Sequence, residues 1–152
     1  MICVSLLEKQ KHILLEALGK IDFAEIRLEA LNLSLEEVRD IFSKHKTFVA
    51  TMRPGNHSDA ERIATLTAAI EAGADYVDVE IGSPTDYKKE IVEAAHKANC
   101  QVIVSYHNYE ETPSRKELDA IVDECFANGA TIAKIACQTN SPQDATRILS
   151  LL

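Results

Sequence analysis

The chain has 152 residues, a net charge of −8 and no tryptophan. That length is enough for one domain with a real core over residues 1–152, and the interspersed charges of both signs argue against disorder. The acidic balance argues against nucleic acid as a partner class, and no run approaches the ~18 apolar residues of a membrane span.

Strand-like and helix-like segments alternate in chain order. Ile2–Leu7 reads as a strand, with no basic stretch before it, so no signal peptide and a cytoplasmic location are expected. Lys9–Leu18 has helical spacing (Ile13, Leu14, Ala17, Leu18) and stops at Gly19. Phe23–Leu28 is strand two. Ser34-Leu35-Glu36-Glu37 is a capping box opening a helix with Val38, Ile41 and Phe42 on one face. Thr47–Met52 is strand three, and Ser58-Asp59-Ala60-Glu61 caps a helix that stops at Gly73. Tyr76–Ile81 is strand four, followed by a helix within Pro84–Asn99 whose inner face is Ile91, Val92, Ala95 and Ala98. Gln101–Tyr106 is strand five, and Ser114-Arg115-Lys116-Glu117 opens a helix ending at Asn128-Gly129. Thr131–Cys137 is strand six. Ser141-Pro142 places Pro at the first position of a helix containing Ala145, Ile148 and Leu149.

Six βα units with short connections predict parallel strands with helices packed outside. The strands are almost continuously apolar, as in a sheet buried on both faces. An open doubly wound sheet and a (β/α)8 barrel both fit. The first connection lacks GxGxxG, so dinucleotide binding has no support. The repeat of roughly 25 residues is close to that of a barrel of ~200 residues or more in eight units.

Cys3, Cys100, Cys125 and Cys137 form no CxxC pair and lie in or beside apolar segments. They read as small buried hydrophobes of a reducing compartment, and no metal site is expected from them.

Polar residues gather in the strands and just past their ends. Glu25, Arg27 and Glu29 alternate on strand two, Arg53 follows strand three, and Asp78 and Glu80 alternate on strand four. Ser105-Tyr106-His107 ends strand five, and Lys134 sits in the middle of strand six. Parallel α/β folds bind ligands at the carboxyl ends of their strands, so these groups are expected to converge on one mouth. Apolar residues flank Lys134, and a desolvated lysine is a nucleophilic amine; an edge-strand lysine that deters aggregation is the competing reading. His107 is the natural general acid/base. Arg27 and Arg53 suit a carboxylate or hydroxyls, with Glu25 and Glu80 to orient the cations. Glu80 reads equally well as a structural ion-pair partner, and Asp78 reads as structural.

At these residues the sequence resembles the type I 3-dehydroquinate dehydratases, enzymes of the shikimate pathway. Glu25-Ile26-Arg27-Leu28-Glu29 is similar to the family's strand-two E-x-R-x-D, and Met52-Arg53 to its strand-three arginine. Tyr76-Val77-Asp78-Val79-Glu80 resembles its strand-four D-x-E. Ser105-Tyr106-His107-Asn108-Tyr109, followed by Thr112-Pro113, resembles the segment carrying the catalytic histidine, and Ala133-Lys134-Ile135-Ala136 the strand of the Schiff-base lysine.

The resemblance implies a (β/α)8 TIM-barrel fold of which this chain supplies about six units. It implies a hydro-lyase converting 3-dehydroquinate to 3-dehydroshikimate without metal or cofactor. Lys134 would form an imine at the C3 ketone, and His107 would remove a C2 proton and then protonate the departing C1 hydroxyl. Glu25, Arg27 and Arg53 would contact substrate; Glu80, His57 and Ser105 are possible supporting residues. His57 stands where the family usually has a glutamate, and either takes over a polar role or is an exposed loop residue. The family's last two strands, with a carboxylate-clamping arginine and a serine and glutamine on a lid, have no counterpart before Leu152. A truncated enzyme, or an assembly covering the open edges, is therefore expected, with weak or no turnover alone. A homodimer or other homo-oligomer is the expected state. Two rival readings stand beside this one: another Schiff-base barrel of the aldolase or transaldolase kind, and an inert assembly fragment.

Overall fold

A computed structural model describes residues 2–44 and 46–152; Met1 and His45 lie outside the described residues. Strands and α-helices alternate as β1 (Val4–Leu6), α1 (Lys11–Leu18), β2 (Phe23–Arg27), α2 (Leu35–Phe42), β3 (Thr47–Thr51), α3 (Asp59–Glu71), β4 (Tyr76–Glu80), α4 (Thr85–Lys97), β5 (Gln101–Asn108), α5 (Arg115–Ala127), β6 (Ile132–Cys137) and α6 (Pro142–Leu149). All neighbouring strands are parallel and the sheet order is β1-β2-β3-β4-β5-β6. The α/β reading and its six βα units hold.

The sheet is strongly curled. β2 and β6 are four places apart in the sheet order. In a flat sheet that separation would be roughly 19 Å at the usual inter-strand spacing. Yet Lys134 Nζ on β6 reaches Glu25 Oε1 on β2 at 3.3 Å. Such curvature is that of a β/α barrel, here open between β1 and β6.

Alternation sorts each strand onto two unlike faces. Ala24, Ile26, Phe48, Ala50, Val77, Val79, Val102 and Val104 face outward and are almost wholly buried. They pack with Leu14, Leu18, Val38, Ile41, Phe42, Leu66, Ile70 and Ile91 from the helices into one core. The inward residues include Glu25, Thr51, Asp78 and Ser105, all buried and polar. This corrects the expectation of strands apolar on both faces: the apolar runs cover only the helix-facing side.

Helix boundaries follow the local chemistry. Ser34, Ser58 and Ser114 each accept from the backbone three residues on, and Glu37, Glu61 and Glu117 complete reciprocal capping boxes. α3, α4 and α5 end alike, at Gly73, Asn99 and Gly129, each with positive φ. After each, the next amide closes on the helix's last turn: Ala74 on Ala69, Cys100 on Ala95 and Ala130 on Cys125.

Several expected boundaries shift. β5 runs two residues past Tyr106, because His107 and Asn108 pair with Ala136 and Cys137 of β6. Ala98 caps α4 and is exposed, so it is not part of that helix's inner face. Ala145 is exposed and Leu149 is 66% exposed, since nothing covers the outer side of α6. Cys3 is exposed and Cys137 half-buried; only Cys100 and Cys125 are buried as expected.

Candidate active site

The inward polar residues form one connected network. Its lysine end is Lys134, whose Nζ donates to Asp78 Oδ2 at 3.0 Å and Glu25 Oε1 at 3.3 Å. The Lys134 side chain is 36% exposed, so the deep burial expected from its apolar sequence neighbours is not what the fold provides. β6 ends the sheet, and two carboxylates rather than packed hydrocarbon hold the ammonium.

The histidine end is built on β3, β4 and β5. Arg53 Nη1 donates to the Glu80 carboxylate and, at 3.0 Å, to Ser105 Oγ. Arg53 Nη2 lies 3.3 Å from Asp78 Oδ1 and 3.3 Å from His107 Nε2. His107 Nδ1 lies 3.1 and 3.0 Å from the two Glu80 oxygens. A guanidinium has only donors, so Nε2 accepts from Arg53 and Nδ1 carries the proton toward Glu80. Tyr109 stacks on the outer side of the His107 ring, with centroids 6.1 Å apart.

Asp78 joins the two ends. Its side chain is fully buried; Oδ2 accepts from Lys134, while Oδ1 accepts from Ser105 Oγ at 2.6 Å. Asp78, which reads as structural from its own strand, is therefore part of the network, and so is Thr51. Thr51 Oγ1 donates to Glu25 Oε1 at 2.8 Å and is in register with Asp78. The available signal was parity: Asp78 shares the face of Glu80, and Thr51 is a polar residue inside a strand two places before Arg53.

The carboxylates are tuned by these contacts. Burial works against ionised Glu25, but the Lys134 ammonium and the hydroxyls of Ser5 and Thr51 outweigh it and hold its pKa below the ordinary value. Burial likewise opposes ionised Glu80; the His107 hydrogen bond and the Arg53 charge outweigh it and lower that pKa too.

Two expected site residues stand apart from the network's centre. Arg27 donates from Nε to Glu29 Oε1 at 2.7 Å, and Glu29 Oε2 accepts the Arg53 amide at 3.3 Å. Arg27 is thus linked to the site through Glu29. His57 lines a separate cavity with Leu31, Asn32, Met52 and Glu61, behind the β3–α3 connection. Glu80 therefore holds His107, and His57 does not. Among the described residues, no three His, Cys, Asp or Glu side chains gather as a metal ion would require. Among the described residues, no helix is long and apolar enough to cross a membrane.

Comparison with known proteins places the chain among relatives. The type I 3-dehydroquinase family profile matches residues 2–152. The bifunctional 3-dehydroquinate dehydratase/shikimate dehydrogenase of Arabidopsis thaliana is 35% identical over 139 residues, covering 86% of this chain and 23% of that protein. The 3-dehydroquinate dehydratase of Pyrococcus abyssi is 33% identical over 148 residues, covering 90% of this chain and 67% of that one. The Methanosarcina barkeri enzyme is 30% identical, and this chain spans 59% of its length. Among solved structures, the 3-dehydroquinate dehydratase of Aquifex aeolicus VF5 superposes with a TM-score of 0.83 at 26% identity, covering 99% of this chain and 73% of that one. The type I enzyme of Clostridium difficile superposes at 0.88 with 21% identity, covering 97% and 67%, and supports the fold. A family profile that matches residues 2–152 shows that the chain belongs to the type I 3-dehydroquinase family.

Proposed function

We propose that this chain carries the reacting side chains of a 3-dehydroquinate dehydratase, with Lys134 as the imine-forming amine and His107 as the proton carrier. The observation that carries the reading is the continuous path from Lys134 through Asp78 to Arg53, Glu80 and His107 on one inward face. The amine and the imidazole are the two groups a Schiff-base dehydration needs; His107 lies near the carboxyl end of β5, and Lys134, in the middle of β6, extends from the same inward face.

In this reading, His107 takes a proton from the ammonium, the freed Nζ amine attacks the ketone carbon, and the carbonyl oxygen leaves as water with that proton and a second one from Nζ. The resulting iminium withdraws electrons from the adjacent carbon. His107 Nε2 exchanges its Arg53 contact for the C2 proton, while Nδ1–H stays on Glu80, which stabilises the imidazolium that forms. His107 then returns the proton to the departing C1 hydroxyl, and water releases the product from Lys134. Arg53, freed from the imidazole, is placed for a substrate hydroxyl or carboxylate, and Glu25, held by Thr51 and Lys134, is a second candidate contact. Arg27 is tied to Glu29 and contacts substrate only by giving up that pair.

The mouth is open between β1 and β6, so substrate bound there meets protein on one side only. The expected outcome is weak or no turnover by these 152 residues alone, with imine formation retained. The open edges, with Ile2, Val4, Leu7 and Ile132 exposed, also favour self-association. Sedimentation velocity reads that state directly, and a monomer at high concentration argues against it.

The deciding test is borohydride reduction in the presence of 3-dehydroquinate, read by intact mass and peptide mapping. The expected result is a reduced adduct on Lys134 that Lys134→Ala abolishes. A properly folded chain with no adduct overturns the proposal.

A further inference from the structure

We propose that Asp78 is the positioning residue and counter-ion of Lys134: its buried carboxylate fixes Nζ at the mouth and keeps the Schiff base protonated. The inference rests on the dehydratase reading above and assigns a role to a residue that reading does not need for its own chemistry.

Among the described residues, Asp78 is the one side chain bonded both to Lys134 and to the Arg53–Glu80–His107 cluster. Its side chain has no solvent exposure, and both oxygens are occupied: Oδ2 by Lys134 at 3.0 Å, Oδ1 by Ser105 at 2.6 Å with Arg53 at 3.3 Å. Ser105 and Arg53 hold Oδ1 independently of the lysine, so the carboxylate keeps its place when the lysine reacts. Glu25 is the other partner of Nζ, but it is longer, more distant at 3.3 Å, and shares the same oxygen with Thr51.

The chemistry makes such a fixed anion useful. An ammonium plus a ketone gives an iminium plus water; two of the three nitrogen protons leave with the carbonyl oxygen. The nitrogen carries one positive charge before and after, so one carboxylate serves both states without rearrangement. The protonated imine, not the neutral one, is the electron sink and the form that borohydride reduces. The other groups facing Nζ are Cys3 beside β1, Glu25 on β2 and Glu80 on β4, with Arg53 and His107 beyond Asp78. Arg53 works against the protonated imine, and Asp78, lying between it and Nζ, offsets it.

The test uses the whole chain with lysine 15N-labelled at Nζ and 3-dehydroquinate as the ligand. The wild-type imine is expected to show the iminium 15N shift at pH 8. In Asp78→Asn, confirmed folded by circular dichroism, borohydride trapping on Lys134 is expected to slow about ten- to a hundredfold at that pH, the range of one charge-assisted hydrogen bond. The alkaline limb of its trapping profile is expected to move to lower pH, which loss of packing alone would not do. If Asp78→Asn does not fold, Glu25→Gln decides: an alkaline limb that keeps its wild-type position supports Asp78, and one that moves to lower pH assigns the counter-ion to Glu25 and overturns the proposal. A neutral-imine shift in the wild type, or an unmoved limb in a folded Asp78→Asn, overturns the counter-ion while leaving Lys134 as the nucleophile. Absence of any wild-type adduct overturns the dehydratase reading and this inference with it.

Discussion

Glu80→Gln tests whether Glu80 rather than His57 holds the imidazole. Glu80 accepts from Arg53 and from His107 Nδ1, and its side chain is 22% exposed. Glutamine keeps one carbonyl oxygen, so it replaces one of these contacts and loses the charge on both. The net loss is about one charge-assisted hydrogen bond, roughly 1.5–3 kcal/mol, or about ten- to a hundredfold in the rate of the step that uses His107. Two assays read this independently. Long-range 15N correlation of the His107 ring is expected to show the Nδ1–H tautomer in wild type and a mixture in the variant. The rate of dehydroquinate processing in stopped assays is expected to fall within the stated range. Stability gives a third check, with a definite sign. The folded pKa of Glu80 lies below its ordinary 4.5, so its stabilising contribution is complete above that value and is lost as pH falls through the folded value. The variant is therefore less stable than wild type at pH 7, and the gap in Tm closes in acid below about pH 4.5. An unchanged tautomer, rates within twofold and a Tm gap that persists at low pH would together refute the assignment.

Three further outcomes follow from the structure. His57→Gln is expected to leave the rate of Lys134 trapping within twofold, because His57 lines a different cavity; a tenfold loss would return it to the site. At pH 8 an alkylating reagent is expected to label Cys3 first. Cys100 and Cys125, whose thiols burial pushes up to about 12 and about 11, should react only on unfolding; rapid labelling of Cys125 in peptide maps would contradict this. Gly129→Ala forces a β-carbon into a residue at φ +87, 2.9 Å from Val92 Cγ1, and is expected to cost at least ~1–2 kcal/mol by urea unfolding. Adding Val92→Ala should recover part of that cost, and strict additivity of the two changes would show that the contact is not the cause.

The fold was legible because its signals are local. Three capping boxes gave three helix starts, and Gly73 and Gly129 gave two ends, since each is a short-range arrangement of backbone amides and one side chain. Strand lengths were less legible. His107 belongs to β5 only because β6 pairs with it, and no residue near His107 announces that partner. Val49 and Ile103 look like any other core residues in the sequence, yet they sit outside the main helix-facing cluster.

The candidate site is legible in its two reactive groups but not in its connections. Side-chain chemistry marks Lys134 and His107, and both lie inward, whereas Thr51 and Asp78 join the network without a comparable signal and His57 lines a different cavity. The argument from apolar neighbours to a buried lysine failed for a geometric reason: in a strand, Ala133 and Ile135 point to the opposite face and cannot desolvate Lys134. What surrounds Lys134 comes from Glu25 and Asp78, 109 and 56 residues away in sequence. Those carboxylates reach it only because the sheet curls, and curl is a property of six strands together with no signature in any one of them. The same reasoning explains why Asp78 read as structural: on its own strand it is one buried acid beside Val77 and Val79, and it becomes the hinge of the network only when β3, β5 and β6 bend Arg53, Ser105 and Lys134 onto its two oxygens.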